Sequence, residues 1–206
     1  TDTGSKVVFS FGSSGALAQQ VENGAPIDLF ASADEEYVRT LITKGYATSG
    51  TDRTYAIGHI ALVVPKRSGA GAPRLADLSA ASVRRVAIAN PEHAPYGGAA
   101  KQALVAAGLW AAVSPKLVYG ENVRQALEFV QTGNADAGIV ALSIADVPEV
   151  AYSVIDDALY RPLRQTVVVV KGTRHEMLAR QFVSFLDAPA ARGVILKYGF
   201  SLPEER

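Results

Sequence analysis

Apolar residues in this chain form short runs, and between the runs they recur every three or four positions. Short runs interleaved with helical-period stretches predict strands alternating with helices. Residues 6–11 carry Val7, Val8, Phe9 and Phe11 and predict a strand. Residues 16–22 place Leu17, Ala18 and Val21 on one helical face, and Asn23-Gly24 closes that helix. Residues 27–31 predict a buried parallel strand. Residues 35–44 predict a helix capped by Ser32 or Asp34 and ended by Gly45.

Further strands are expected at 59–65, 83–89, 116–119, 137–141 and 166–170. Helices are expected at 99–107, 123–132, 176–186 and 190–198, with short helical turns at 75–78 and 142–145. Residues 1–5 read as the end of a helix and the turn after it, and 67–72 as a Gly/Ala/Ser loop. Two very apolar strands, 60–64 and 167–170, bracket the middle of the chain. That bracket predicts an inner lobe of 58–171 inserted by two crossing strands into an outer lobe of 1–57 plus 172–206. A cleft between lobes is a usual seat for a small ligand.

Composition narrows the function. The 206 residues are 49 % hydrophobic and 19 % charged, which is globular. Lys+Arg and Asp+Glu are 20 each, so there is no basic footprint for nucleic acid or an anionic membrane. Absence of cysteine removes disulfides, thiolate metal sites and cysteine nucleophiles. No apolar run has the length of a membrane span, and no leader pattern is visible, so an exported form is expected to be the mature one.

Three polar turns open helices. Gly12-Ser13-Ser14-Gly15 puts hydroxyls and bare N–H groups where a helix begins. Such a turn reads either as an ordinary serine cap or as a seat for an anion. It is not a nucleophile elbow, because Ala16 replaces the second glycine, and no lysine follows to make a P-loop. Pro95-Tyr96-Gly97-Gly98 and Glu121-Asn122-Val123-Arg124 offer further first-turn donors. His59, His93, His175 and Glu92 read as structural, no metal-ligand spacing appears, and no spacing selects a Ser/His/Asp triad.

Together these residues resemble the molybdate-binding periplasmic proteins of ABC import systems. The resemblance rests on Phe11-Gly12-Ser13-Ser14-Gly15-Ala16-Leu17-Ala18, Gly24-Ala25-Pro26-Ile27-Asp28-Leu29-Phe30-Ala31-Ser32-Ala33-Asp34 and Asn90-Pro91-Glu92-His93-Ala94-Pro95-Tyr96-Gly97. It continues in Ser114-Pro115-Lys116, Glu121-Asn122-Val123-Arg124-Gln125-Ala126-Leu127, Gly138-Ile139-Val140 and Lys197-Tyr198-Gly199-Phe200, in family order along the chain. It implies an α/β, two-lobed Venus-flytrap fold with mostly parallel sheets flanked by helices. It also implies a non-enzymatic, periplasmic protein without a cofactor that captures molybdate or tungstate and hands it to a membrane permease.

Carried over by position, Ser14 gives a hydroxyl and an N–H, Tyr96 an N–H and Val123 an N–H, with Ser13, Gly97 and Ala141 as further lining. Molybdate has acceptors only, so its site should offer donors only. The alternatives are a binding protein for sulfate or phosphate, or an effector-sensing module of the same fold. Two departures from the family stand out. Ala141 occupies the place of a donating tyrosine found in some members, for which the Tyr96 hydroxyl is a candidate substitute. The family's first strand and helix have no counterpart here, which predicts a truncated outer lobe with weaker binding than a complete homologue and, where the short form is the natural one, self-association through the uncovered sheet edge.

Overall fold

The computed structural model describes residues 4, 6–66 and 72–203. Most of the readings for 1–5 and 67–72 lie outside these. The chain is α/β, with two sheets and helices packed on them. A three-stranded sheet has the order β1-β8-β2, from β1 (Leu29–Ser32), β8 (Leu163–Val169) and β2 (Arg53–Gly58). A five-stranded sheet has the order β5-β4-β6-β3-β7. Its strands are β3 (Ile60–Pro65), β4 (Val86–Ala89), β5 (Leu117–Gly120), β6 (Ala137–Ala141) and β7 (Val150–Val154).

Parallel pairing is confined to β4 with β5 and β4 with β6. The expectation of mostly parallel sheets is corrected: β8 runs antiparallel to both β1 and β2, and β3 runs antiparallel to β6 and β7. Residues 27–31 thus hold an antiparallel strand. The cause is connectivity. Crossover helices return the chain in the same direction from β4 to β5 and from β5 to β6, and α2 (Glu35–Thr43) does the same from β1 to β2, but β8 comes back from the other sheet and inserts antiparallel between β1 and β2.

Helices α1 (Ser14–Glu22), α2 (Glu35–Thr43), α3 (Pro95–Ala106), α5 (Val123–Gln131), α6 (Glu176–Phe185) and α7 (Pro189–Lys197) fall where the periodicity puts them, within a few residues. A one-turn helix, α4 (Trp110–Val113), follows α3. Helices α1, α2 and α6 pack on the small sheet and α3 and α5 on the large one. Val38 and Leu41 of α2 meet Phe30 and Val168 under the small sheet. Ala99, Ala100, Ala103 and Leu104 of α3 pack on Ile88 and Ile139 of the large one.

Residues 6–11 do not form a strand. Among the described residues no strand lies beside them, so their N–H and C=O groups have no ladder to join. Val8 is 81 % exposed and Phe11 71 %, and Phe9 stacks on Phe11 instead of entering a core. Two strands were illegible beforehand. β2 mixes Arg53, Thr54 and Tyr55 with apolar residues and carries a bulge between Thr54 and Ala56. β7 is a half-exposed edge strand.

The chain passes between sheets twice, at His59 between β2 and β3 and again between β7 and β8. Drawn by sheet membership, β8 falls with β1 and β2. His59 ties the two passages: Nδ1 meets Asp157 Oδ1 at 2.8 Å and Nε2 meets Ser201 Oγ at 2.8 Å. The Tyr160 hydroxyl donates to the same carboxylate and accepts the Ile60 N–H at 3.2 Å.

Candidate functional site

The start of α1 touches the turn before α2 through Ser14 and Ala33 and the loop before α3 through His93, which also approaches Glu121 before α5 at 3.8 Å. At α1, Ser13 is the N-cap and its Oγ accepts the Ala16 N–H at 3.4 Å. The next residue, Ser14, is buried, and its Oγ accepts the Ala33 N–H at 3.2 Å, just ahead of the Asp34 cap of α2. That bond uses a lone pair and leaves the Ser14 proton to be donated.

At α3 the cap is Ala94, which has no side chain to offer, and Pro95 fills the first helical position. The first helical bond from this end is the Gly98 N–H to the Ala94 carbonyl at 3.0 Å. Among the described residues no acceptor meets the N–H of Tyr96 or Gly97. Gly97 lets the helix seat there: a Cβ would stand 2.1 Å from the Ala89 carbonyl oxygen at the end of β4.

At α5 the Asn122 side chain accepts the N–H groups of Arg124 and Gln125 at 3.0 and 3.1 Å. The Val123 N–H is left without an acceptor among the described residues. Tyr96 and Ala141 belong to one buried cluster, and Ala33 and Val123 pack against it. Ala141 ends β6, paired with Ile60, and has only a methyl group to contribute. Ser14 is bonded to Ala33, which packs, as Val123 does, against the cluster that contains Tyr96 and Ala141, and Ser13 and Gly97 are the sequence neighbours of Ser14 and Tyr96.

The local field is set by neutral dipoles. Three helix N-termini bring partial positive charge, and no arginine or lysine is buried among them. Arg124 lies over the Phe11 ring at 5.0 Å, and Glu121 is largely solvent-exposed. The Tyr96 hydroxyl lies beside the Gln165 side chain and is pressed against Gly58, where a Cβ would stand 2.3 Å from it. Burial, with the Tyr55 and Tyr160 phenols nearby, pushes its pKa far above the ordinary range, outweighing the Gln165 side chain, so the phenol stays protonated.

Sequence reasoning missed three participants. The Ala33 N–H orients Ser14, Gln165 with Gly58 holds Tyr96, and His93 reaches across to Ser13 and Gly15. All are contacts between residues far apart in the chain, which neither spacing nor periodicity records. Among the described residues no group of three or more His, Asp or Glu could hold a metal ion, and no helix is long and apolar enough to cross a membrane.

The chain is similar to proteins of known role along most of its length. The molybdate-binding protein ModA of Rhodobacter capsulatus is 38 % identical over 202 residues, covering 96 % of this chain and 78 % of that protein. ModA of Azotobacter vinelandii is 38 % identical over 206 residues, covering 98 % and 81 %. The solved structure of the Azotobacter vinelandii periplasmic molybdate-binding protein aligns with a TM-score of 0.88 at 36 % identity, over 98 % of this chain and 90 % of that one. The sulfate-binding protein SubI of Mycobacterium tuberculosis shares the fold, with a TM-score of 0.79 at 18 % identity, over 98 % of this chain and 78 % of that one. The family model for bacterial extracellular solute-binding proteins matches residues 1–201, and the chain belongs to that family.

Proposed function

We propose that this chain captures molybdate, or the similar tungstate, outside the cytoplasmic membrane and delivers it to an ABC permease. The observation that carries the reading is the donor set. The Ser14 hydroxyl and the acceptor-free N–H groups of Tyr96 and Val123 each stand at a helix N-terminus, and Ala33, which holds Ser14, packs against the same cluster as Tyr96 and Val123. A tetrahedral dianion has only acceptors, and this set offers donors. Protonated phosphate needs an acceptor as well, which the set lacks, and smaller sulfate would leave donors unmet. The likeness to the Rhodobacter and Azotobacter proteins supports molybdate over the sulfate and phosphate alternative.

Two lobes follow the sheets. The small sheet and its helices form the outer lobe, and strands β3 to β7 form the inner one. Sheet membership supports a boundary at His59 and a return near 155–162, with β8 in the outer lobe. The donors come from both: Ser14 from the outer lobe, Tyr96 and Val123 from the inner. An anion bridging them holds the lobes together, and a permease can then read the closed form.

The test uses the single tryptophan, Trp110, whose ring sits under Lys101 at 5.3 Å beyond the end of α3. Titration with molybdate, tungstate, sulfate and phosphate should change its emission at low concentrations of the first two only. A response to sulfate or phosphate alone would replace the assignment.

A further inference from the structure

His93 contacts the start of α1 from the other sheet unit, and the donor set above does not include it. It lies on the loop between β4 and α3, whereas α1 packs with β1 and α2. Its carbonyl accepts the Gly15 N–H at 2.9 Å, and its Nδ1 meets Ser13 Oγ at 2.8 Å. Ser13 Oγ also accepts the Ala16 N–H, which leaves its own proton available to Nδ1. The other ring nitrogen, Nε2, lies 3.8 Å from Glu121 Oε2. One residue therefore joins the first turn of α1 to the loop before α3 and faces the loop before α5.

The fit is close. A Cβ on Gly15 would stand 2.9 Å from His93 Cβ, from the His93 carbonyl oxygen and from the Tyr37 hydroxyl. Glycine at 15 thus permits the approach, and Ser13 is buried beneath it. A second contact between the same units, Arg124 over Phe11, flanks it.

Resting on the oxyanion reading, we propose that His93 is a positioning residue that latches α1 onto the second sheet unit. It holds the Ser14 donor against those of Tyr96 and Val123 and lengthens the residence of the anion without touching it. Opening the cleft breaks the latch, so the contribution falls on dissociation. Association starts from the open form, which lacks these bonds.

Stopped-flow Trp110 fluorescence with molybdate on wild type, His93→Ala and His93→Asn tests it, with X-ray scattering of each protein with and without molybdate. The asparagine amide reaches the position of Nδ1 and restores the Ser13 bond. His93→Ala should raise the dissociation rate about 5- to 10-fold with association within about 2-fold, and His93→Asn should recover most of the loss. Equal dissociation rates in wild type and His93→Ala would overturn the latch. Should His93→Ala fail to fold, Gly15→Ala strains the same contact with His93 intact; an unchanged dissociation rate would overturn it equally. A wild type that ignores molybdate overturns the binding reading instead. Scattering then decides the latch: a larger radius for His93→Ala than for wild type supports it, and equal radii overturn it.

Discussion

At the scale of single residues, hydroxyl geometry separates two side chains that look alike as donors in the sequence. Ser14 accepts from Ala33 and keeps a proton to give, whereas the Tyr96 hydroxyl is buried against Gly58 and Gln165. Ser14→Ala should therefore weaken molybdate binding by roughly 10- to 100-fold, the loss of a hydrogen bond to a charged ligand. It should also lower stability by about 1–3 kcal/mol, because the Ala33 N–H loses its acceptor. Tyr96→Phe should do the reverse: affinity within about 3-fold of wild type, with a stability loss of about 1 kcal/mol at the Gln165 contact. Calorimetric titration and thermal unfolding of both variants measure the two quantities separately. The identities of Ser14, Tyr96 and Val123 could be read as candidates from the chain because each opens a helix after a polar turn. The task of the Tyr96 hydroxyl could not, since Gly58 and Gln165 are distant in sequence.

At the scale of elements, the helix starts depend on how closely each helix approaches its strand. Gly97 and Gly98 are neighbours in α3 with opposite surroundings. A Cβ at 97 would collide with the Ala89 backbone at 2.1 Å, whereas nothing lies within 4 Å of one at 98. Gly97→Ala should cost about 2–4 kcal/mol and displace the Tyr96 N–H, abolishing molybdate binding. Gly98→Ala should leave binding intact and stabilise by up to about 1 kcal/mol through helix propensity. Denaturant unfolding of the pair checks this, and equal losses would refute the close-approach account. Periodicity and caps made most of the helices and the buried strands β3, β4, β6 and β8 legible. It failed for residues 6–11, whose pattern is strand-like but unpaired, and for β2, whose bulge breaks the alternation. Strand direction was also beyond it, because the antiparallel course of β8 follows from the second passage between sheets.

At the scale of the molecule, two carboxylates brace joints in the fold and set its acid sensitivity. For Asp136, burial alone would raise the pKa. The N–H groups of Arg84 and Arg85, at 2.8 and 2.9 Å, outweigh it together with the two arginine charges, and the pKa lies below the ordinary value. For Asp157, burial is likewise outweighed, here by the His59 and Tyr160 hydrogen bonds and the His59 charge. A pKa lower in the folded than in the unfolded chain means the folded state binds fewer protons. The stability these groups add is complete above about pH 4, the unfolded carboxylate value, and is lost as pH falls through the lowered folded pKa. Asp136→Asn should lower Tm by about 2–4 °C at pH 7, and the gap should narrow as pH falls below the unfolded carboxylate value of about 4. Thermal scans across that range test the sign.

The same passages between sheets that Asp157 braces let the two units close on a ligand, so binding is the property on which the whole account depends. Isothermal titration calorimetry of this chain with molybdate, against sulfate and phosphate, examines it directly. The account predicts saturable one-to-one binding of molybdate, with sulfate and phosphate weaker by at least about 100-fold. Absence of molybdate binding, or equal affinity for the three anions, would contradict it.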